Sequence, residues 1–154
     1  MRRNDREISD NEKMYSILDK ATLLNLGLFD GEEPYVVPLD FVRVGDALYF
    51  HCATEGKKLD IIANRPGVCF AVTGETRHKT GDAPCDCSTF YESVIGWGTA
   101  AVLNSVQEKS TALAALNKKF GAPEGPFPPA MLDAVAVVRI GIERMTGKAK
   151  HGKM

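Results

Sequence analysis

The segment from Tyr35 to Lys58 constrains the fold more than any other part of this chain. Its two runs, Tyr35–Val44 and Ala47–Ala53, are rich in β-branched and aromatic residues, and Gly45-Asp46 between them is a turn pair. This pattern predicts a β-hairpin and therefore an antiparallel sheet. Pro38 lies inside the first run and has no N–H to donate, so we expect an edge position or a bulge there.

The hairpin leads into a predicted helix from Gly56 to Asn64. The first turn of a helix has unpaired backbone N–H groups at the positive end of its dipole, where a phosphate binds favourably. Lys57 and Lys58 add positive charge at the same point. We therefore predict a phosphate site at Gly56-Lys57-Lys58 beside an apolar strand, which suggests a phosphorylated aromatic cofactor. A solvated lysine pair is the alternative. The sequence contains no P-loop motif, so ATP or GTP hydrolysis has no support.

The rest of the chain continues the pattern of short strands and helices. Capping boxes at Ser9-x-x-Glu12 and Ser105-x-x-Glu108 mark two further helix starts. We predict strands at 23–29, 68–74, 91–103 and 136–143, and a loop at 75–88. Three helices are each predicted to bury one face. These faces are formed by Met14, Ile17, Leu18 and Ala21, by Leu59, Ile62 and Ala63, and by Leu113, Leu116 and Phe120. These elements predict an α+β barrel of mostly antiparallel strands in one domain, residues 1–154.

The composition argues against several classes of function. The 154 residues include 19 basic and 20 acidic side chains, without the basic excess that is typical of nucleic-acid-binding proteins. No apolar run approaches the ~20 residues that a membrane-spanning helix needs. The charged N-terminal segment also lacks the apolar stretch of a signal peptide. We therefore expect a cytoplasmic protein with no nucleic-acid or membrane partner, whose four cysteines are thiols.

His51 is the candidate catalytic residue. Side chains alternate along a strand, so His51 shares a face with Tyr49 and Ala53, and it comes just before the predicted phosphate site. A cofactor anchored at that site would lie within reach of the imidazole, which could donate a proton to a reduced substrate. The alternative is an ordinary hydrogen-bonded strand histidine.

Three further groups of residues carry weaker signals. Cys85-x-Cys87 has neither the ligand spacing of a zinc site nor the C-x-x-C of a thioredoxin-like motif, so we predict no metal site. Gly96 and Gly98 inside a predicted strand indicate a bulge, or the close approach of a ligand or another backbone. The third group, near the end of the chain, is either a local anion patch or a solvated tail: Arg144, Lys148, Lys150 and Lys153.

Five motifs in a fixed order resemble the flavin-binding split-barrel superfamily: MRR at the start, YVVPLDF, YFHCATEGKKLDIIANRPGVCFAV, YESVIGWGTA and a closing TGK. Within it, the sequence is most similar to the 5-nitroimidazole resistance proteins, relatives of pyridoxamine 5′-phosphate oxidase. The resemblance extends from Arg2 to Lys148. It implies a six-stranded, mostly antiparallel split β-barrel with short peripheral helices, and a homodimer with FMN at the dimer interface.

The resemblance also implies which residues contact FMN. The matching residues are Val37, Pro38, Leu39 and Asp40 along the isoalloxazine ring, Phe50, His51, Cys52 and Ala53 beside the cofactor, Gly56, Lys57 and Lys58 at the phosphate, Glu92, Ser93 and Val94 on a following strand, and Trp97, which would close the pocket. The phosphate site implied by the resemblance is the one predicted from the helix start.

The implied chemistry is that of the flavin, which carries the redox step while the protein binds and orients it. Reduced FMN would pass electrons to a 5-nitroimidazole-like nitro group or to another small electron acceptor near His51. We expect residues 75–88 to form part of the wall of the acceptor pocket. Two alternatives are a flavin-binding module without turnover and a haem-binding or haem-utilising protein with His51 as axial ligand.

Overall fold

One antiparallel sheet of eight strands curls into a split barrel, and the structure, a computed structural model, describes residues 3–151. The strands are β1 (Glu7–Ile8), β2 (Leu23–Phe29), β3 (Pro34–Asp40), β4 (Val42–Val44), β5 (Ala47–Cys52), β6 (Gly67–Lys79), β7 (Ser88–Val102) and β8 (Ala136–Lys150). The helices are α1 (Asn11–Lys20), α2 (Lys57–Asn64), α3 (Val106–Lys119) and α4 (Pro129–Asp133). Arg2, where the family resemblance begins, and Lys153 of the basic group lie outside the described residues.

The strand order is β3-β2-β6-β7-β8-β5-β4, with β1 paired to β8. This confirms the α+β split barrel, although the sheet has eight strands where the resemblance implied six. The predicted strand Tyr35–Val44 is wrong in one respect, because it breaks at Phe41 into β3 and β4. Phe41 is fully buried, so the chain turns inward there and crosses from one edge of the sheet to the other. The hairpin is therefore β4–β5, while β3 pairs with β2 as an edge strand, in keeping with Pro38.

The predicted loop 75–88 is strand at both of its ends. β6 continues to Lys79 and β7 begins at Ser88, so only residues 80–87 connect them, and β8 likewise extends past its predicted end to Lys150. The periodic apolar pattern that reveals a strand arises when one of its faces is buried. Residues 75–79 of β6 are polar and exposed on both faces, and the buried positions in residues 144–150 of β8 are only the small Gly147 and Ala149, so neither segment carries a strong apolar pattern.

The main core fills the barrel and is completed by α1 and α2. Met14, Ile17 and Leu18 of α1 are buried in it as predicted, but the N-cap of α1 is Asp10 and not Ser9, since Oδ1 of Asp10 accepts the N–H of Glu12 at 2.9 Å. In α2, Ile61 and Ile62 are buried and Ala63 is exposed, which corrects the predicted inner face.

A second, smaller core lies outside the barrel, where α3 and α4 pack on β8. It consists of Ala112, Leu113, Leu132 and Val137, with Tyr49 of β5 packed against it. We call these residues the outer cluster. The predicted cap of α3 is confirmed, because Ser105 Oγ accepts the N–H of Glu108 at 3.4 Å, whereas Phe120 is exposed instead of facing inward.

The two glycines inside β7 make room for close neighbours. A Cβ at Gly96 would lie 2.1 Å from Cζ of the buried Phe70, and a Cβ at Gly98 would lie 2.1 Å from the carbonyl oxygen of Gly141. The pairing of β7 with β8 shifts register between Trp97 and Gly98. The predicted bulge and close backbone approach are therefore confirmed. Within residues 3–151, no helix has the length and apolar character needed to cross a membrane.

Candidate functional site

One face of the sheet, on β3, β2, β6 and β7, points away from the barrel core. Directly paired residues of antiparallel strands place their side chains on the same face, and the pairing links Val36 with Gly27, Cys69 and Trp97, and Pro38 with Asn25, Ala71 and Ile95. We define the outer face as the side chains of Leu23, Asn25, Val36, Pro38, Asp40, Cys69, Ala71, Thr73, Ser93, Ile95 and Trp97. Its width from β3 to β7 is three strand spacings, about 14 Å.

The outer face is mostly apolar and is accessible. Val36 is 63% exposed and Ile95 is 42% exposed. The buried residues of α1 and α2 belong to the core inside the barrel, and those of α3 and α4, apart from Leu116, belong to the outer cluster on β8. An exposed apolar face of this extent is typical of a surface that binds a ligand or a partner.

The structure divides the predicted cofactor residues into two sets. Pro38, Asp40, Ser93 and Trp97 lie on the outer face, so β3 and β7 bring them onto one surface. The second set lies on β3, β5 and β7 and turns toward the core. It consists of Val37, Leu39, Phe50, Cys52 and Val94. Phe50 and Val94 are fully buried. For this second set, a ligand on the outer face can reach the backbone but not the buried side chains.

Arg144 of β8 adjoins the outer face, a position that the sequence did not reveal. It pairs with Trp97 across β7 and β8, and its guanidinium carbon lies 3.5 Å from the centroid of the Trp97 ring. Burial raises the pKa of the neighbouring Cys69 thiol, and the charge of Arg144 partly offsets that effect. Because the predicted last strand ended at residue 143, Arg144 was assigned to the basic group that is either an anion patch or a solvated tail. Only the register of the extended β8 shows the contact.

The start of α2 is open toward a ligand. Its N-cap Gly56 has φ +129°, and a Cβ there would meet nothing within 4 Å. The carbonyl of Gly56 accepts the N–H groups of Leu59 and Asp60, but Gly56 has no side chain to cap the first N–H groups, those of Lys57 and Lys58. These two donors are therefore available to an anion.

The two lysines at this helix start differ in their surroundings. The ammonium of Lys57 lies 2.7 Å from Glu33 Oε1 and 3.3 Å from Asp30 Oδ2 in the β2–β3 turn. The N–H groups of Glu33 and Glu32, together with Lys57, lower the pKa of Asp30 to about 2, so this carboxylate stays charged. Lys58 instead approaches the Cys52 thiol. Burial raises the pKa of this thiol, and the positive charge of Lys58 partly offsets that rise. The charge of Lys57 is thus compensated, and Lys58 is the stronger candidate for an anion.

His51 lies at the end of β5 and is exposed. Its strand partner is Val137, and it shares the outward side of β5 with Tyr49, as predicted from the alternation. It immediately precedes Cys52, which contacts Lys58 near the helix start. The imidazole is therefore accessible and close in the chain to the candidate anion site. Ala53 follows β5 and is also exposed.

These features fit a ligand with a flat apolar part and a phosphate. About 10 Å of strand separates Glu33, next to the start of α2, from Val36 on the outer face.

Glu92 packs beside Gly74, and Ser93 donates its hydroxyl to the carbonyl of Lys148 at 3.5 Å. Among residues 3–151, no cluster of three or more His, Cys, Asp or Glu side chains could hold a metal ion, and Cys85 and Cys87 are exposed free thiols.

Comparison with known proteins gives consistent results. The family model described as pyridoxamine 5′-phosphate oxidase matches residues 10–149. A proposed 5-nitroimidazole antibiotic resistance protein from Bacteroides thetaiotaomicron has a similar structure, with a TM-score of 0.83 and 28% identity over 93% of this chain and 86% of that one. A comparison with curated proteins found no match.

Two more distant structures share the fold. A flavocytochrome from Azotobacter vinelandii has a TM-score of 0.84 and 21% identity, over 99% of this chain and 72% of its own. The FAD and heme binding protein from Mycobacterium smegmatis has a TM-score of 0.80 and 24% identity, over 96% of this chain and 74% of its own. Proteins with this fold thus include flavin and haem binders.

Proposed function

This chain belongs to the pyridoxamine 5′-phosphate oxidase family, and on that premise we propose that it is an FMN-dependent oxidoreductase. The proposed reaction transfers electrons from reduced FMN to a small acceptor, such as a 5-nitroimidazole or another nitroaromatic compound. The similarity to a proposed 5-nitroimidazole resistance protein supports this choice of acceptor. The family and the fold support a flavin as the cofactor.

One observation carries the proposal: an exposed apolar sheet face adjoins a helix start with free donors. The outer face offers the accessible side chains of Val36 and Ile95 for a planar ring. The N–H groups of Lys57 and Lys58, with the Lys58 ammonium, offer the positive end of α2 for a phosphate. FMN combines these two chemical parts in one molecule.

In the proposed complex, each part of the chain has a distinct role. Lys58 and the first N–H groups of α2 bind the phosphate, while the backbone of β3 and the side chains of Pro38 and Trp97 hold the ring and exclude water from it. An imidazole nitrogen of His51 donates a proton to the reduced acceptor. When bound, reduced FMN supplies the electrons.

The proposal includes a homodimer in which a second copy covers the outer face and encloses the cofactor. The exposed apolar side chains on or beside this face support it, because monomers rarely leave such a surface in water. Among them are Leu23, Phe29, Val36 and Ile95. The proposed acceptor would then enter between the two subunits.

The role of His51 can be tested by anaerobic reoxidation. We expect H51A and H51Q to bind FMN normally but to slow reoxidation of reduced flavin by a 5-nitroimidazole, by about 10²-fold or more, since neither side chain donates a proton as imidazole does. Stopped-flow absorbance of the flavin measures the rate. A wild-type rate in both variants would remove His51 from the mechanism. If the 5-nitroimidazole does not reoxidise the reduced flavin of the wild-type protein either, the protein is a flavin-binding module without turnover.

Haem is the second candidate ligand. The observation in its favour is that the His51 imidazole is exposed at the end of β5, where it is free to serve as an axial ligand. The absorption spectrum distinguishes the two ligands directly, because a haem protein has a strong porphyrin band that a flavoprotein lacks.

A further inference from the structure

Arg144 is a cation whose place beside the outer face is fixed by the strand register. Directly paired residues of neighbouring strands form one row across five strands, with their side chains on the same side of the sheet. From β3 to β8 this row consists of Val36, Gly27, Cys69, Trp97 and Arg144. A ligand that lies across the outer face along this row therefore has the Trp97–Arg144 pair at its β8 end.

The guanidinium of Arg144 is held in position by the indole of Trp97. Its carbon lies 3.5 Å from the centroid of the ring, well inside the range of a cation–π contact. An N–H group pointing at the ring would hold the carbon farther away, so the guanidinium lies face to face with the indole. This contact leaves the N–H donors in the guanidinium plane for other partners.

The charge of Arg144 is not neutralised by a close carboxylate. Within residues 3–151 its guanidinium forms no ion pair. Glu143 is its neighbour in the chain, but the Glu143 carboxylate accepts the hydroxyl of Thr99 at 2.6 Å. The carboxylate on the outer face is that of Asp40, which lies four residues from Val36 along β3, about 13 Å from this row.

Cys69 shows that this charge reaches the middle of the outer face. Its thiol lies between Gly27 and Trp97 in the row. Burial raises the pKa of the thiol, and the charge of Arg144 acts in the opposite direction, because a cation favours the thiolate. A ligand that gains negative charge on this part of the face would be stabilised by Arg144 in the same way.

A flavin ring is neutral when oxidised and can carry a negative charge when reduced. A fixed cation beside the ring therefore favours the reduced form over the oxidised form. The ratio of the two affinities sets the midpoint potential of the bound flavin. For a two-electron couple, a tenfold ratio corresponds to about 30 mV.

We propose that Arg144, held on Trp97, binds the reduced, negatively charged flavin ring in preference to the oxidised ring and so raises the midpoint potential of the bound cofactor. A higher potential makes the flavin easier to reduce and restricts it to acceptors of higher potential. Arg144 is then a residue that determines which acceptors the protein can use. This inference rests on the proposed flavin function.

The midpoint potential of the FMN-loaded protein tests the proposal directly. R144Q and R144M lose the charge, and R144K keeps it. R139Q is the matched control, because Arg139 is an exposed arginine of the same strand that pairs with Ala101 and Tyr49 instead of Trp97. We expect the potential to fall by about 30 mV in R144Q and R144M, a tenfold loss of preference for the reduced ring. R144K should retain most of the wild-type potential, and R139Q all of it.

Two further measurements separate this effect from other roles of Arg144. Oxidised FMN and riboflavin, titrated by fluorescence, should bind R144Q about as tightly as the wild-type protein. Trp97 is the only tryptophan, so its emission maximum reports whether the site keeps its fold in each variant. R144M guards against local disruption in R144Q, because its long apolar side chain can still cover the indole.

Several results would overturn the proposal. One is a wild-type potential in both R144Q and R144M, and another is an equal fall in R139Q or in R144K. Weaker binding of oxidised FMN in R144Q, with riboflavin binding and the potential unchanged, would place Arg144 at the phosphate instead of the ring. Each of these results leaves the proposed function intact. A protein that takes up no FMN would overturn both the proposed function and the role of Arg144.

Discussion

Replacement of Phe70 by alanine is expected to destabilise the protein by about 3–5 kcal/mol, the usual cost of removing a buried aromatic ring. Phe70 is 1% exposed, and its ring rests against Gly96 on the neighbouring strand, where a Cβ would lie 2.1 Å from Cζ. Loss of the ring leaves a cavity at the centre of the barrel. Urea unfolding followed by circular dichroism measures the change. F120A is the control, because Phe120 is 42% exposed and its loss should cost much less.

The complementary substitution should show that ring and glycine act as a pair. We expect G96A to destabilise by about 1–3 kcal/mol or more, because its methyl group would overlap the Phe70 ring. In the double variant F70A/G96A, the methyl group occupies part of the vacated space. Its destabilisation should therefore be smaller than the sum of the two single effects by at least about 0.5 kcal/mol. Simple additivity would contradict the close contact between Phe70 and Gly96.

The second large effect concerns FMN affinity. We expect K58A to weaken FMN binding by about 1–3 kcal/mol, or roughly 10- to 100-fold, through loss of a charge-assisted contact to the phosphate. K57A should weaken it less, because Glu33 and Asp30 already neutralise the Lys57 ammonium at 2.7 and 3.3 Å. Quenching of FMN fluorescence on titration with protein gives both dissociation constants, and K118A controls for the loss of one positive charge.

The informative result is which of the two variants, K58A or K57A, loses more FMN affinity. A larger loss in K57A would mean that the phosphate displaces Glu33 and Asp30 from Lys57 on binding. Wild-type affinity in both variants would place the phosphate away from α2. Riboflavin, which lacks the phosphate, should bind wild-type and K58A proteins equally, so its titration separates phosphate recognition from ring binding.

The sequence predicted those elements in which one face is buried. β2 has the predicted bounds Leu23–Phe29, and the buried positions of α1 follow the predicted spacing. The capping pattern at Ser105 and the glycines at positions 96 and 98 were also interpreted correctly, since each reflects a local constraint on the backbone. Local chemistry of this kind is contained in a few neighbouring residues.

Features that depend on distant partners were not predictable. The end of β6 is exposed on both faces, and the buried positions at the end of β8 are only the small Gly147 and Ala149, so residues 75–79 and 144–150 were not recognised as strand. The contact of Arg144 with Trp97 and the pairing of Lys57 with Glu33 depend on that long-range register and on the β2–β3 turn. The contact of Arg144 with Trp97 places a cation beside the outer face. The pairing of Lys57 with Glu33 neutralises a cation at the start of α2.

The most direct test of the account is the visible absorption spectrum of the freshly purified protein, followed by heat release and identification of any chromophore. The account predicts the two absorption bands of a flavin and release of FMN, or uptake of one FMN per chain by a colourless preparation. A porphyrin band with no flavin would favour haem at His51 instead. A colourless protein that takes up neither FMN nor haem would contradict the proposal that the outer face and the start of α2 form a cofactor site.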